Sequence, residues 1–267
     1  MYDLFVLASE HADHTYSTPS GISVQRRLFK DTSPNMIEQL TLQLDRVKGA
    51  LFSSGMEYTG RYTRWDIGFV NPPLELTARD RTVTVQALNE RGQVLIPTLA
   101  AWVAQDPAVD HVSEDKVRFV VQIKPKAGVF REEERTKQPS VFSVLRRIQQ
   151  AFFSDEDTFL GLYGAFGYDL VFQFENLMMK KPRPADHVDM HLFLPDELYV
   201  VDRRVNQAFR IAYDFTADGR STAGMARDGA ARSPESGRRR PIPPDRPGYY
   251  ADLVRKAMPS FYAGDLF

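Results

Sequence analysis

Residues Thr82 to Leu88, TVTVQAL, alternate polar and apolar side chains one by one. Alternation of this kind gives a strand with one face toward a core and one toward solvent. A single such strand is not stable alone. It needs paired neighbours and a layer of apolar side chains to cover it. Comparable runs recur at Arg118 to Lys124, at His191 to Leu194, and at Glu197 to Asp202 followed by Ala208 to Phe215, which read as a hairpin. Asn89-Glu90-Arg91-Gly92 reads as a turn, with Gln93 to Ile96 returning as the partner of the first strand and a short helix over Leu99 to Gln105. Two amphipathic helices accompany the strands. Ser33 to Gly49 carries Ile37, Leu40, Leu44 and Val47 on one stripe, with Ser33 as cap, Pro34 in the first turn and Gly49 at the end. Val141 to Phe153 carries Val141, Val144, Leu145, Ile148 and Phe152. Short-turn strands in runs segregated from helices predict α+β architecture with antiparallel sheet.

The chain is long enough, at 267 residues, to bury a sizeable core. Its formal net charge of -1 gives no electrostatic argument for a nucleic-acid or acidic-membrane partner, and neither is expected. No cysteine is present, which excludes disulfides, zinc thiolate sites and thiol nucleophiles. The N-terminal MYDLFVLASEHADH lacks the basic start of a signal peptide, and no apolar run reaches the roughly 20 residues of a spanning helix. The expectation is a cytoplasmic protein.

Composition changes from Thr216 to Pro247, which is rich in Gly, Ala, Ser, Pro and Arg and poor in large apolar residues. Such a stretch buries too little surface to offset its ordering entropy, so a disordered linker is expected over 216–247, separating 1–215 from 248–267. A last helix begins near Tyr249, with Tyr250, Leu253, Val254, Ala257, Met258 and Phe261 on one face and Pro259 expected to kink or interrupt it. The apolar Leu266-Phe267 after the Gly264-Asp265 turn reads as the start of a strand that belongs to a further region.

Residues suited to catalysis are sparse. His187 and His191 have the spacing of a helical metal pair, but prolines flank them and a strand would hold them ~13 Å apart. His11 and His14 read as surface residues of a loose N-terminal segment. Gly161, Gly164 and Gly167 lack the dinucleotide-binding spacing and read as points of close packing. Glu132-Glu133-Glu134 and Arg238-Arg239-Arg240 read as solvated loops, and Asp155-Glu156-Asp157 lacks calcium-loop spacing. No catalytic residue and no metal ligand is assigned.

Several stretches taken in order resemble one family. They are Leu51-Phe52-Ser53-Ser54, Gly55 to Asp66 with Gly60-Arg61-Tyr62 inside it, Arg81 to Leu88, Gly164 to Leu170, and Leu194 to Asp202. They are similar to the N-terminal region of anthranilate synthase component I, with wording nearest the bacterial form that fuses synthase and glutaminase. Tyr249 to Phe267 resembles the start of that family's chorismate-binding region. The resemblance implies antiparallel sheets packed face to face with outer helices, here truncated. It implies an enzyme that converts chorismate and ammonia to anthranilate and pyruvate, with Mg²⁺ as cofactor, a glutaminase subunit or domain as partner, and feedback inhibition by tryptophan. The Mg²⁺ ligands and acid–base groups of the family belong to its C-terminal region, so this chain alone is expected to be inactive. Ser53 and Ser54 are the implied tryptophan-binding residues. Ser54 matches the family serine, whereas Ser53 stands where many members carry glutamate and so offers a neutral hydroxyl in place of a carboxylate. A turn at a strand end is the plainer alternative for both. A sister chorismate enzyme (aminodeoxychorismate or phenazine-type synthase) and a non-catalytic tryptophan-binding module are the rival readings.

Overall fold

A computed structural model describes residues 13–31, 35–53, 64–125, 138–175, 182–184, 186–231 and 246–266. Their strands form two antiparallel sheets. The first takes β1 (Asp13–Ser17), β2 (Ser23–Asp31), β3 (Gly49–Phe52), β4 (Trp65–Val70), β11 (Glu197–Asp202), β12 (Gln207–Ala217) and the short β13 (Arg220–Ser221). Its order is β1-β2-β12-β11-β4-β3, with β13 paired to β12. The second takes β5 (Leu74–Arg79), β6 (Thr82–Ala87), β7 (Val109–Glu114), β8 (Arg118–Ile123), β9 (Tyr163–Phe166) and β10 (Met190–Leu194), in the order β7-β8-β6-β5-β10-β9. The chain crosses between sheets where β4 leads to β5 and where β10 leads to β11. The alternation seen in the sequence is realised: β5 and β6 each turn every second residue inward.

One apolar core serves both sheets. Phe69 of β4 meets Phe193 of β10 with ring centroids 5.7 Å apart, so the sheets touch directly at that end. Helix α1 (Met36–Leu44) packs on β3 and β4. Helix α2 (Glu90–Ala104) packs on β6, β7 and β8 of one sheet and on β12 of the other. Helix α3 (Val141–Ala151) lies against α2 and β6. The α+β class with antiparallel sheets is as expected, but the helices are not all outside, because α2 fills the space between the sheets. Its buried Val94, Leu95, Ile96, Leu99, Ala100 and Val103 wrap round more of the helix than a surface stripe would.

Four local expectations change. Asn89-Gly92 is no hairpin turn: the Asn89 side-chain oxygen accepts from the Gly92 amide at 3.0 Å, which caps α2. Gln93 to Ile96 are therefore helical, and the short helix expected at Leu99 is the second half of a longer one. The first helix ends at Leu44, and Gly49 opens β3 instead of closing a helix; a Cβ there would lie 2.2 Å from the Phe69 carbonyl oxygen. Ser33 and Pro34 lie outside the described residues. His14 is not in a loose segment: it sits in β1, pairs with Glu156 and stacks on Tyr16.

The fourth change concerns the linker. β12 runs through Thr216 to Ala217, and Thr222 is fully buried. Arg91, at the start of α2 and itself fully buried, donates to the Thr222 carbonyl at 2.6 Å. Asn71 donates to the Arg227 carbonyl and Asn89 to that of Asp228. Arg227 returns to Asp214 at 3.1 Å. Residues 222–228 are thus seated by polar donors that read their backbone, which composition does not reveal. Residues 232–245 lie outside the described set.

Contacts divide the chain into Met1–Ser233 and Pro234–Phe267. In the second unit the described structure is helix α4 (Tyr249–Tyr262), which runs through Pro259 without a break. Pro259 sits in the last turn, and Ala263 still donates to its carbonyl at 2.9 Å. Among the described residues no helix is long and apolar enough to cross a membrane.

Candidate functional site

The candidate site grows from the hairpin of β3 and β4. Gly68 has no Cβ to collide with Leu40, which would lie 2.2 Å from one, so α1 closes tightly over the outer side of β4. Trp65, Ile67 and Phe69 of β4 point inward to the core, and Asp66 and Gly68 point outward. β3 pairs with β4 from Gly49 opposite Val70 to Phe52 opposite Ile67, which brings Ser53, the next residue, beside Asp66.

Ser53 Oγ donates to Asp66 Oδ1 at 2.7 Å. Asp66 is 1% exposed. Its other oxygen accepts from Arg203 Nε at 2.9 Å and Nη2 at 2.7 Å. A carboxylate only accepts, so the Ser53 proton is committed inward and the hydroxyl presents lone pairs outward. Both Asp66 oxygens are engaged, one with Ser53 and one with Arg203. Ser53 therefore offers hydrogen-bond acceptors on its outward side.

Phe52 turns the other way. Its ring meets Tyr163 of β9 at 6.2 Å, and Tyr163 meets Phe69 at 6.1 Å. Trp65 packs edge-on against Phe159, and Arg64 lies over the Trp65 ring while donating to Asp202 at 2.8 Å. Tyr163 donates to the Phe159 carbonyl at 2.6 Å, and burial raises its phenol above the ordinary range. The end of β3 therefore has an aromatic side, shared with β9, and a polar side, held by Asp66 and Arg203. Ser54 lies outside the described residues.

Around the start of β3 stands a second polar group. Lys48 Nζ donates to both oxygens of Glu75 at 2.6 Å, and His191 Nε2 lies 2.7 Å from Glu75 Oε1. The hydrogen bond from His191, then that from Lys48, holds the Glu75 carboxyl at about 2. Sequence reading missed this cluster. Its members come from two strands and the turn before β3, and only the pairing of β5 with β10, which sets His191 opposite Thr77, brings two of them together.

His187 and His191 do not share a site. His191 is held by Glu75, and His187 lies 3.3 Å from Asp169. Asp169, His187 and Asp189 place ligand atoms within 4.8 Å of one another. Arg183 already supplies the cation there, 3.2 Å from Asp169 and paired with Asp189. Asp189 also accepts the Asp80 amide at 2.7 Å. Mg²⁺ needs about six oxygens in near-octahedral array. Two carboxylates already neutralised by a guanidinium do not fit it, so no chemistry through Mg²⁺ is derived from these residues.

The glycine run behaves as packing. A Cβ on Gly164 would lie 2.1 Å from the His191 carbonyl oxygen, so only glycine lets β9 approach β10. Asp157 of the acidic run is buried, accepting from Tyr213 at 3.1 Å and Tyr16 at 3.3 Å. Glu132-Glu133-Glu134, Arg238-Arg239-Arg240 and His11 lie outside the described residues.

No protein-family model matches the chain. Two characterised relatives do. The chain is 39% identical over 261 residues to the anthranilate synthase of Azospirillum brasilense, a match covering 94% of this chain and 34% of that protein. It is 33% identical over 141 residues to anthranilate synthase component 1 of Serratia marcescens, covering 52% of this chain and 26% of that protein. The chain thus spans about a third or less of the length of the relatives it matches. Over nearly all of its own length the chain is similar to an anthranilate synthase, and over about half of it to an anthranilate synthase component 1.

Proposed function

We propose that this chain is the scaffold and tryptophan-sensing part of an anthranilate synthase. The complete enzyme would form anthranilate and pyruvate from chorismate and ammonia, the ammonia coming from a glutaminase domain or partner, in the cytoplasm and with Mg²⁺. The observation that carries this reading is the 39% identity along 94% of the chain. The site adds support. Ser53 offers a polarised acceptor at the end of an edge strand, where a donor such as an amino-acid ammonium would be met, and an aromatic surface begins one residue earlier at Phe52.

The test is an assay of the complete polypeptide with chorismate, Mg²⁺ and ammonia, following anthranilate fluorescence, with tryptophan titrated in. Tryptophan-inhibited anthranilate formation is expected, with none from the 267-residue chain alone. A different aromatic product would move the protein to a sister chorismate enzyme. Tight saturable tryptophan binding by this chain alone, without any product from the complete protein, would leave only a regulatory module.

A further inference from the structure

Edge strands are held on one side only, so their position depends on what else ties them down. β3 has four residues and, among the described residues, pairs only with β4. Two contacts tie it to the opposite sheet, one at each end. At its far end Phe52 rests against Tyr163 of β9. At its start, Lys48 reaches across to Glu75 of β5, and the side chains there are 28% and 13% exposed. Glu75 is fixed in turn by His191 of β10. The Lys48 carbonyl also accepts the Asn71 amide at 2.8 Å, at the crossing between the sheets. Shifting Lys48 therefore shifts the strand that leads into Ser53.

We propose that the Lys48–Glu75–His191 cluster is a positioning clamp for the tryptophan-sensing element, setting the distance between β3 and the second sheet. This rests on the reading of Ser53 and Ser54 as that element. The three residues touch no ligand in this scheme; they act through the backbone of β3. Lys48 Nζ meets both oxygens of a half-buried carboxylate, and charge-assisted hydrogen bonds of this kind are short and strong, which suits the role. The low pKa of Glu75 keeps the carboxylate charged across the physiological range.

Lys48→Met, Glu75→Gln, Lys48→Arg and Ser54→Ala in the complete polypeptide would test it, with turnover measured against chorismate and tryptophan and with thermal midpoints recorded. Lys48→Met and Glu75→Gln should each raise the tryptophan inhibition constant about tenfold relative to any change in kcat without tryptophan, a size ordinary for coupling between sites. Lys48→Arg should restore most of the inhibition. Should Lys48→Met fail to fold, the near-isosteric Glu75→Gln still reports. If Ser54→Ala weakens inhibition while Glu75→Gln leaves it within about twofold of the parent, the clamp is wrong and the sensing element stands. If Ser54→Ala has no effect, the reading of the element falls and the clamp with it.

Discussion

At Glu75 the usual carboxylate equilibrium is displaced by two neighbours. The hydrogen bond from His191, then that from Lys48, lowers its pKa from 4.5 to about 2. A group whose folded pKa is depressed contributes stability above its unfolded value and loses it as the pH falls through the folded one. The stability gap between the parent and Glu75→Gln should therefore be constant near neutrality and close between pH 4.5 and about 2. Urea unfolding at a series of pH values measures it; a gap unchanged at pH 2 would refute the assignment. The same residue shows what a sequence hides. Lys48, Glu75 and His191 are each unremarkable in their local context. Ser53 was legible only through family likeness, and its partners Asp66 and Arg203 only through strand pairing. The polar contacts of a site built across two sheets are set by register, which no single stretch records.

Helix α2 shows the same limit for elements. Strands with alternating patterns were readable, and so was α3, whose apolar stripe matches its buried residues. The segment from Asn89 to Gly92 was not, because Asn and Gly serve turns and helix starts alike. Asn89 acts here as a cap, and Gly92 lies inside the first turn at the closest approach to the crossing loop. A Cβ on Gly92 would lie 2.1 Å from the Pro73 carbonyl oxygen. Alanine normally favours a helix over glycine by about 1 kcal/mol. Here the collision is with backbone, which also accepts the Leu88 amide, so it has little room to yield. Gly92→Ala should cost about 1–3 kcal/mol net, read as a lowered thermal midpoint, as overpacking does elsewhere. Gly161→Ala, where nothing lies within 4 Å of the added carbon, is the control.

For the molecule as a whole, the critical charge is Arg91. It is fully buried, paired with Asp196 at the second crossing and 3.0 Å from Asp214 in β12. It joins the helix to β12, to the loop that crosses between the sheets and to the segment after β13. Arg91→Met would leave two buried carboxylates with the partial cover of Arg227 and, at Asp214, of Arg27, and a loss of about 3–5 kcal/mol in denaturant unfolding is expected. Neutralising Asp196 in the same variant should recover part of it. Over residues 222–228 the expectation of disorder gives way for a related reason: polar donors anchored on the fold hold a stretch that has little apolar payload of its own. β12 lies between β2 and β11, pairing with β2 over Ser23–Asp31 and with β11 over Glu197–Asp202. Until it emerges, the first sheet exists only as a β1–β2 ribbon and a separate group of strands. At translation rates of about 5–20 residues per second, the roughly 180 residues between β2 and β12 take on the order of ten to thirty seconds to make. Throughout that interval β2 presents an unpaired edge to the cell. Its charged outward residues, among them Arg27, guard the nascent chain against premature pairing before they hold the finished sheet together.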